Sequence, residues 1–289
     1  MKVIVLGEGD AEPRKEQIDS FAQAVFESKF LISLVQNIGR FEFESRKDIG
    51  HIFTCLFRHR RDEVVQYLLE NPIILEHLVT SYENQDVALT CGAITRELLR
   101  SEDICNYMLY NVTILDNFLT YVQLPIFDVA SDAFATFKTM LTKHKKLVCQ
   151  YLMENFDTFF PRFNLLLQSD SYVTKRLSLK LLAELLLSRD NFTVMMKFIN
   201  ISDHLKLVMN LLRGTTKAVQ LEAFHVFKIF VANPRKAPQI EEILYRNRSK
   251  LIDFLNRFQK DKDDDQFNDE KNILLTTLTN MEPPQSMRQ

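Results

Sequence analysis

Six histidines and four cysteines are the side chains of this sequence best suited to metal ligation or nucleophilic chemistry, and their spacing assembles neither. No histidine falls in an H-E-x-x-H pair or beside a nucleophile motif, the arrangements that would place two ligands, or a base and its nucleophile, on one face. His225, between Phe224 and Val226, reads as a packed helix residue rather than a ligand. Cys55, Cys91, Cys105 and Cys149 form no C-x-x-C pair and each sits in an apolar helical pattern, so they read as reduced core thiols. Asp261-Lys262-Asp263-Asp264-Asp265 opens like a calcium loop, but Gln266 holds the position of the turning Gly and Asn272 that of the bidentate Glu. It reads as a solvated loop between two helices. Val3-Ile4-Val5-Leu6-Gly7-Glu8-Gly9 starts like a strand feeding a dinucleotide loop, yet Glu12 takes the place of the third Gly, Pro13 follows, and no βαβ pattern succeeds it. No cofactor or metal is expected. Without a nucleophile, base and orienting group in one constellation, an enzyme is disfavoured.

What remains is contact chemistry. Arg176 and Lys180 lie one helical turn apart, so both cations could reach one partner, although a merely solvated pair has the same spacing. Phe127, two residues after Pro125, suits either an exposed anchor or packing between helices. The same ambiguity holds for Arg189 and Phe192 in the junction Arg189-Asp190-Asn191-Phe192. Lys206 and Met209, close together in Ser202-Asp203-His204-Leu205-Lys206-Leu207-Val208-Met209, suit either a core edge or an adaptable groove for a short peptide. Periodicity alone leaves these alternatives open.

The elements that must position these side chains are helices. In 289 residues, Gly and Pro number 6 and 8, about 5% of the chain against a usual ~12%, which disfavours a turn-rich β protein. With 46% hydrophobic and 26% charged residues, 23 Phe and no Trp, the chain is too apolar for disorder and too charged for a membrane bundle. A formal charge of −2 provides no bulk field for nucleic acid or anionic lipid, so neither is an expected partner. The apolar start is too short for a signal h-region, the triplets at Asn111, Asn191, Asn200 and Asn247 need a secretory route, and the apolar run 181–187 already contains Glu184. A cytoplasmic protein, monomeric when free, is expected.

Helical periodicity runs over 15–281, with breaks at Pro72, Pro125, Pro161, Asn233-Pro234 and Pro238. Four segments beginning Gln85-Asp86-Val87, Phe127-Asp128-Val129, Ser171-Tyr172-Val173 and Lys217-Ala218-Val219 superpose, their valines 42, 44 and 46 residues apart. Lys47-Asp48-Ile49 adds a fifth copy, 38 residues before Val87. Such spacings are those of HEAT and armadillo repeats, and the shorter helix pairs between the long ones, 146–154 with 157–167 and 192–199 with 202–213, favour armadillo. Four, eight and twelve residues after each valine stand Cys91, Thr95 and Leu99; Ala133, Phe137 and Leu141; Leu177, Leu181 and Leu185; and Ala223, Phe227 and Val231. This is one apolar seam per helix. Three after the valine stand Thr90, Asp132, Arg176 and Glu222, a polar column expected to face solvent. The expected fold is all-α: a right-handed armadillo/HEAT-like solenoid of about six repeats with a short first unit, a leader over 1–13, one domain over 14–282 and a tail over 283–289. Third helices of such repeats line a concave binding face.

The stretches Phe127-Asp128-Val129-Ala130-Ser131-Asp132-Ala133-Phe134-Ala135-Thr136-Phe137-Lys138, Tyr172-Val173-Thr174-Lys175-Arg176, Glu222-Ala223-Phe224-His225-Val226-Phe227-Lys228, Phe230-Val231-Ala232-Asn233-Pro234 and Asp265-Gln266-Phe267-Asn268-Asp269-Glu270-Lys271 closely resemble the mouse protein 25 family, also called calcium-binding protein 39. The resemblance covers 2–281, is densest after Phe127, departs from the family around 57–70, and has no counterpart of the family's first helical segment. It implies a non-catalytic scaffold that holds a STRAD-type pseudokinase, and with it liver kinase B, or directly activates germinal-centre-group kinases; fungal members resemble parts of a morphogenesis and cytokinesis kinase network. Carried over by position, the family's concave-face contacts fall on Phe127, Arg176, Lys180, Arg189 and Phe192. Its groove for a Trp-Glu-Phe tail falls on Met209, with Lys206 beside it. The competing function is a general armadillo adaptor for extended peptides without any effect on a kinase. The failed calcium-loop match gives no ground for expecting calcium, whatever the family's name.

Overall fold

A computed structural model describes residues 15–259 and 264–287, and among them the secondary structure is helical throughout, without a strand. The expected leader over 1–13, with its strand-like Val3-Ile4-Val5 start, lies outside the described residues, as do the first three residues of the Asp261–Asp265 stretch and the last two residues of the tail. The helices gather into two compact units that divide at Leu166 and Leu167.

In the first unit the chain runs through α1 (Lys15–Glu27), α2 (Phe30–Gln36), α3 (Phe43–His59), α4 (Arg61–Glu70), α5 (Ile73–Thr80), α6 (Gln85–Leu98), α7 (Glu102–Tyr110), α8 (Val112–Tyr121), α9 (Phe127–Thr142), α10 (Lys145–Glu154) and α11 (Phe156–Leu167). The long helices stack in order, α3 on α6 and α6 on α9. They are the segments that superpose in the sequence. Asn84 starts α6 by accepting a hydrogen bond from the Asp86 amide at 3.0 Å, and Asn111 starts α8 by accepting from the Ile114 amide at 3.2 Å, each satisfying a donor the helix leaves open. Pro161 does not break the chain as its type predicts; it sits inside α11. That helix buries Phe156, Phe159, Phe160, Phe163, Leu166 and Leu167 almost completely, and burial of several large side chains at ~1.5–3 kcal/mol each outweighs the ~3 kcal/mol penalty of an internal proline.

The second unit contains α12 (Tyr172–Leu187), α13 (Phe192–Ile199), α14 (Ser202–Leu212), α15 (Lys217–Ala232), α16 (Pro238–Arg257) and α17 (Asp265–Thr279). Here α12 packs on α15, and α15 is covered by α14 and α17. Ser171 caps α12 through the Thr174 amide, and Asp264 caps α17 through the Phe267 amide at 3.0 Å. The stretch that opens like a calcium loop thus supplies a helix cap.

The apolar seam holds at every position but Leu177, which is half-buried. The polar column faces water only in part: Arg176 is exposed and Thr90 half-buried, whereas Asp132 and Glu222 turn to a neighbouring helix. Asp132 on α9 turns to α6, where Arg96 donates to both carboxylate oxygens at 2.8 Å and the Tyr82 hydroxyl donates at 2.7 Å. Glu222 on α15 turns to α12 and lies 3.5 Å from the Arg176 guanidinium. A position 120° from the centre of the seam is the flank of the helix, and in a side-by-side stack the flank meets the next long helix. The cysteines form no disulfide among the described residues; Cys55, Cys91 and Cys105 are buried, and burial pushes the Cys91 thiol up to about 11 and that of Cys105 to about 12. Inert thiols are the consequence.

Candidate docking site in the second unit

The site begins with the end of α12. Leu187 is followed by a 3-10 turn, Arg189–Asn191, in which the buried Asn191 side chain donates to the Leu185 carbonyl at 2.9 Å. That bond closes α12 and lets α13 start at once. The turn leaves Arg189 and Phe192 pointing outward, the Phe192 ring 61% exposed. On α12 itself Arg176 and Lys180 are both exposed and one turn apart. Glu222, only 13% exposed, lies beside the Arg176 guanidinium, which keeps 46% of its side-chain surface open. The carboxylate orients the cation without neutralising its outer face.

From Phe192 the chain places Met195, Met196 and Ile199 at i+3, i+4 and i+7, so one stripe of α13 carries four large apolar side chains. Val194 and Phe198 fill the opposite, buried side. This stripe, exposed at Phe192, half-buried at Met195 and Met196 and buried at Ile199, lines an open cavity of about 760 Å³ that is also bordered by Leu187, Ile229 on α15 and Ile273 on α17. Phe192, Leu187 and Ile273 are all more than half exposed. Lys228 on α15 donates to Glu270 on α17 at 2.7 Å across the edge of this cavity, with side chains 20% and 23% exposed. Asn233 is consumed by the chain itself: it accepts from the Arg235 amide at 3.0 Å and donates to the Arg235 carbonyl at 2.9 Å. Lys236, held on the Asn233 carbonyl at 2.7 Å, has its ammonium pushed below the ordinary lysine range by burial.

Of the sequence-derived residues, Arg176, Lys180, Arg189 and Phe192 therefore occupy α12 and its junction with α13, and Phe192 alone of them lines the cavity. Met209 and Lys206 lie elsewhere, on α14: Met209 is half-buried, Lys206 is exposed and pairs with Asp203 at 2.8 Å, and neither lines the cavity. Phe127 belongs to the first unit, at the first position of α9, with 64% of its surface exposed. Packing does not claim it. Sequence reasoning missed Met195, Met196 and Ile273. Phe-Thr-Val-Met-Met-Lys-Phe-Ile is apolar around most of a short helix, and that was the available signal, since a single core contact leaves half of such a surface uncovered.

Among the described residues no group of three His, Cys, Asp or Glu is placed to hold a metal ion, and no helix is long and apolar enough to cross a membrane. What the helices of the second unit present is a set of exposed cations, the exposed Phe192 and an apolar cavity. The Mo25-like family model matches residues 1–282. The chain is 46% identical over 285 residues to mouse calcium-binding protein 39-like, covering 97% of this chain and 84% of that protein. It is 45% identical to MO25-like protein 2 of Caenorhabditis elegans, covering 96% and 83%, and 43% identical to the Mo25-like protein of Schizosaccharomyces pombe, covering 96% and 85%. The chain belongs to the Mo25-like family.

Proposed function

We propose that this protein is a non-catalytic, armadillo-type cytoplasmic scaffold that binds and allosterically activates a germinal-centre-group kinase, or a STRAD-type pseudokinase with its liver kinase B partner. The observation that carries the reading is that Arg176 and Lys180 share one face of α12 with Leu187, and that Leu187 and Phe192 line an open apolar cavity, which combines cations for orientation with an anchor site. Phe127 would add an aromatic contact from the first unit. Activation requires that the kinase bind this face more tightly in its closed, active arrangement than in its open one; equal affinity for both would shift nothing. Met209 and Lys206 on α14 would hold a Trp-Glu-Phe-like tail, a second contact that raises local concentration.

The test is titration of a purified STRAD-type pseudokinase with the wild-type chain and with Phe192→Ala, Arg176→Ala and Met209→Ala. Phe192→Ala and Arg176→Ala should each weaken binding by ~1–3 kcal/mol, and Met209→Ala should abolish binding of the isolated tail peptide while the protein stays folded. Unchanged affinity in all three variants rejects the site assignment.

A further inference from the structure

We propose that Met195 and Met196 form an oxidation-sensitive wall of the second-unit cavity: a peroxide converts their thioethers to sulfoxides, and the oxidised cavity no longer admits an apolar occupant. Both side chains are half-buried on that stripe of α13 and line the cavity, so an oxidant that enters the cavity meets sulfur. In the reaction the sulfur lone pair attacks one peroxide oxygen and the O–O bond breaks; that oxygen stays on sulfur and the other leaves as water once protonated. Each sulfur loses two electrons and each peroxide gains two, and a thiol-dependent sulfoxide reductase reverses the step.

The surroundings make the change consequential. A sulfoxide oxygen needs a hydrogen-bond donor, and of the polar side chains lining the cavity Asn233 bonds in both directions to the Arg235 backbone, Lys228 is paired with Glu270, and Arg235 is exposed to solvent. The S=O dipole is then left in an apolar wall, where an unmatched polar group opposes burial by any apolar partner. Methionine is suited to the unoxidised role, since its flexible thioether adapts to the shape of what docks. As regulation of docking this rests on the function proposed above, whereas the state of the cavity itself is measured independently of any kinase.

The experiment uses the full chain and 1-anilinonaphthalene-8-sulfonate, a dye whose rings probe the cavity, titrated before and after peroxide, with sulfoxides located by peptide mass spectrometry. When both methionines are oxidised, dye affinity should fall about tenfold and return after reductase with thiol. The volume-conserving double variant M195L/M196L should bind dye and keep its affinity through the same treatment. Oxidation of the exposed Met153 while Met195 and Met196 remain thioethers would overturn the proposal. So would unchanged affinity with both oxidised, equal loss in the double variant, or failure of the untreated wild type to bind dye. Kinase stimulation measured in parallel separates the two ideas: a protein that binds dye yet leaves the kinase unstimulated contradicts the proposed function alone.

Discussion

Gly92 lies in the middle of α6, where an alanine would ordinarily be better by up to ~1 kcal/mol. Here a Cβ would run into the Asp132 carboxylate and the Tyr82 hydroxyl, two members of the buried cluster that joins α6 to α9. The Arg96 fork holds the carboxylate, its Nη1 itself 3.1 Å from that Cβ position, and burial followed by the Asp132 charge raises the Tyr82 phenol far above its ordinary range, keeping it a donor. Gly92→Ala should therefore destabilise the protein by ~2–4 kcal/mol, read as a lower Tm; an unchanged or higher Tm would show that the cluster yields at little cost. His204 makes a second residue-scale test. Its Nδ1 lies 2.9 Å from the Phe198 carbonyl and its ring stacks on Phe198. Burial lowers its pKa, opposed by that carbonyl and by Asp203. A depressed folded-state value means a contribution fully present above the unfolded value of about 6.5 and lost as pH falls toward the folded one. Tm should drop between pH 7 and pH 5 by more in wild type than in His204→Gln, and equal drops would assign the loss to other groups.

At the scale of elements, α17 is fastened to α15 by the Phe267 ring packed on Phe224 and by the Lys228–Glu270 pair. Removing the cation alone leaves a half-buried carboxylate beside an apolar cavity. Lys228→Met should cost ~1–3 kcal/mol and speed amide exchange over 265–279, and Lys228→Met with Glu270→Leu should recover most of the loss. If the double variant is as unstable as the single one, the pair contributes more than it costs to bury. The helices themselves were legible: the expected pair 192–199 and 202–213 is observed as α13 and α14 within one residue, because apolar spacing and breakers act locally. Pro161 was not, since the phenylalanines that hold α11 together do so through contacts remote in sequence. Nor was the polar column. One-helix periodicity identifies the side facing the core, whereas Asp132 and Glu222 are spent on a neighbouring helix that periodicity does not locate. In the candidate site the cations and Phe192 were visible as residue types whose spacing fits contact and packing equally well, and the cavity escaped notice because four separate helices build it.

For the whole molecule, two compact stacks of helices carry exposed aromatics and cations that their own cores do not use: Phe127 in one unit, and Arg176, Lys180, Arg189 and Phe192 in the other. A scaffold that only binds and one that activates can present the same surface, and they differ in whether binding energy depends on the partner's conformation. The chain belongs to the Mo25-like family, and the function proposed above is one that a kinase assay tests. The most direct measurement is the activity of a purified germinal-centre-group kinase at fixed concentration, titrated to saturation with the wild-type chain and with a folded Arg176→Ala, Phe192→Ala double variant. The account predicts stimulation by the wild type, with the double variant shifted by at least tenfold in the concentration required, in line with the loss of two anchor contacts. Saturating binding of the wild type without any change in kinase activity would contradict it.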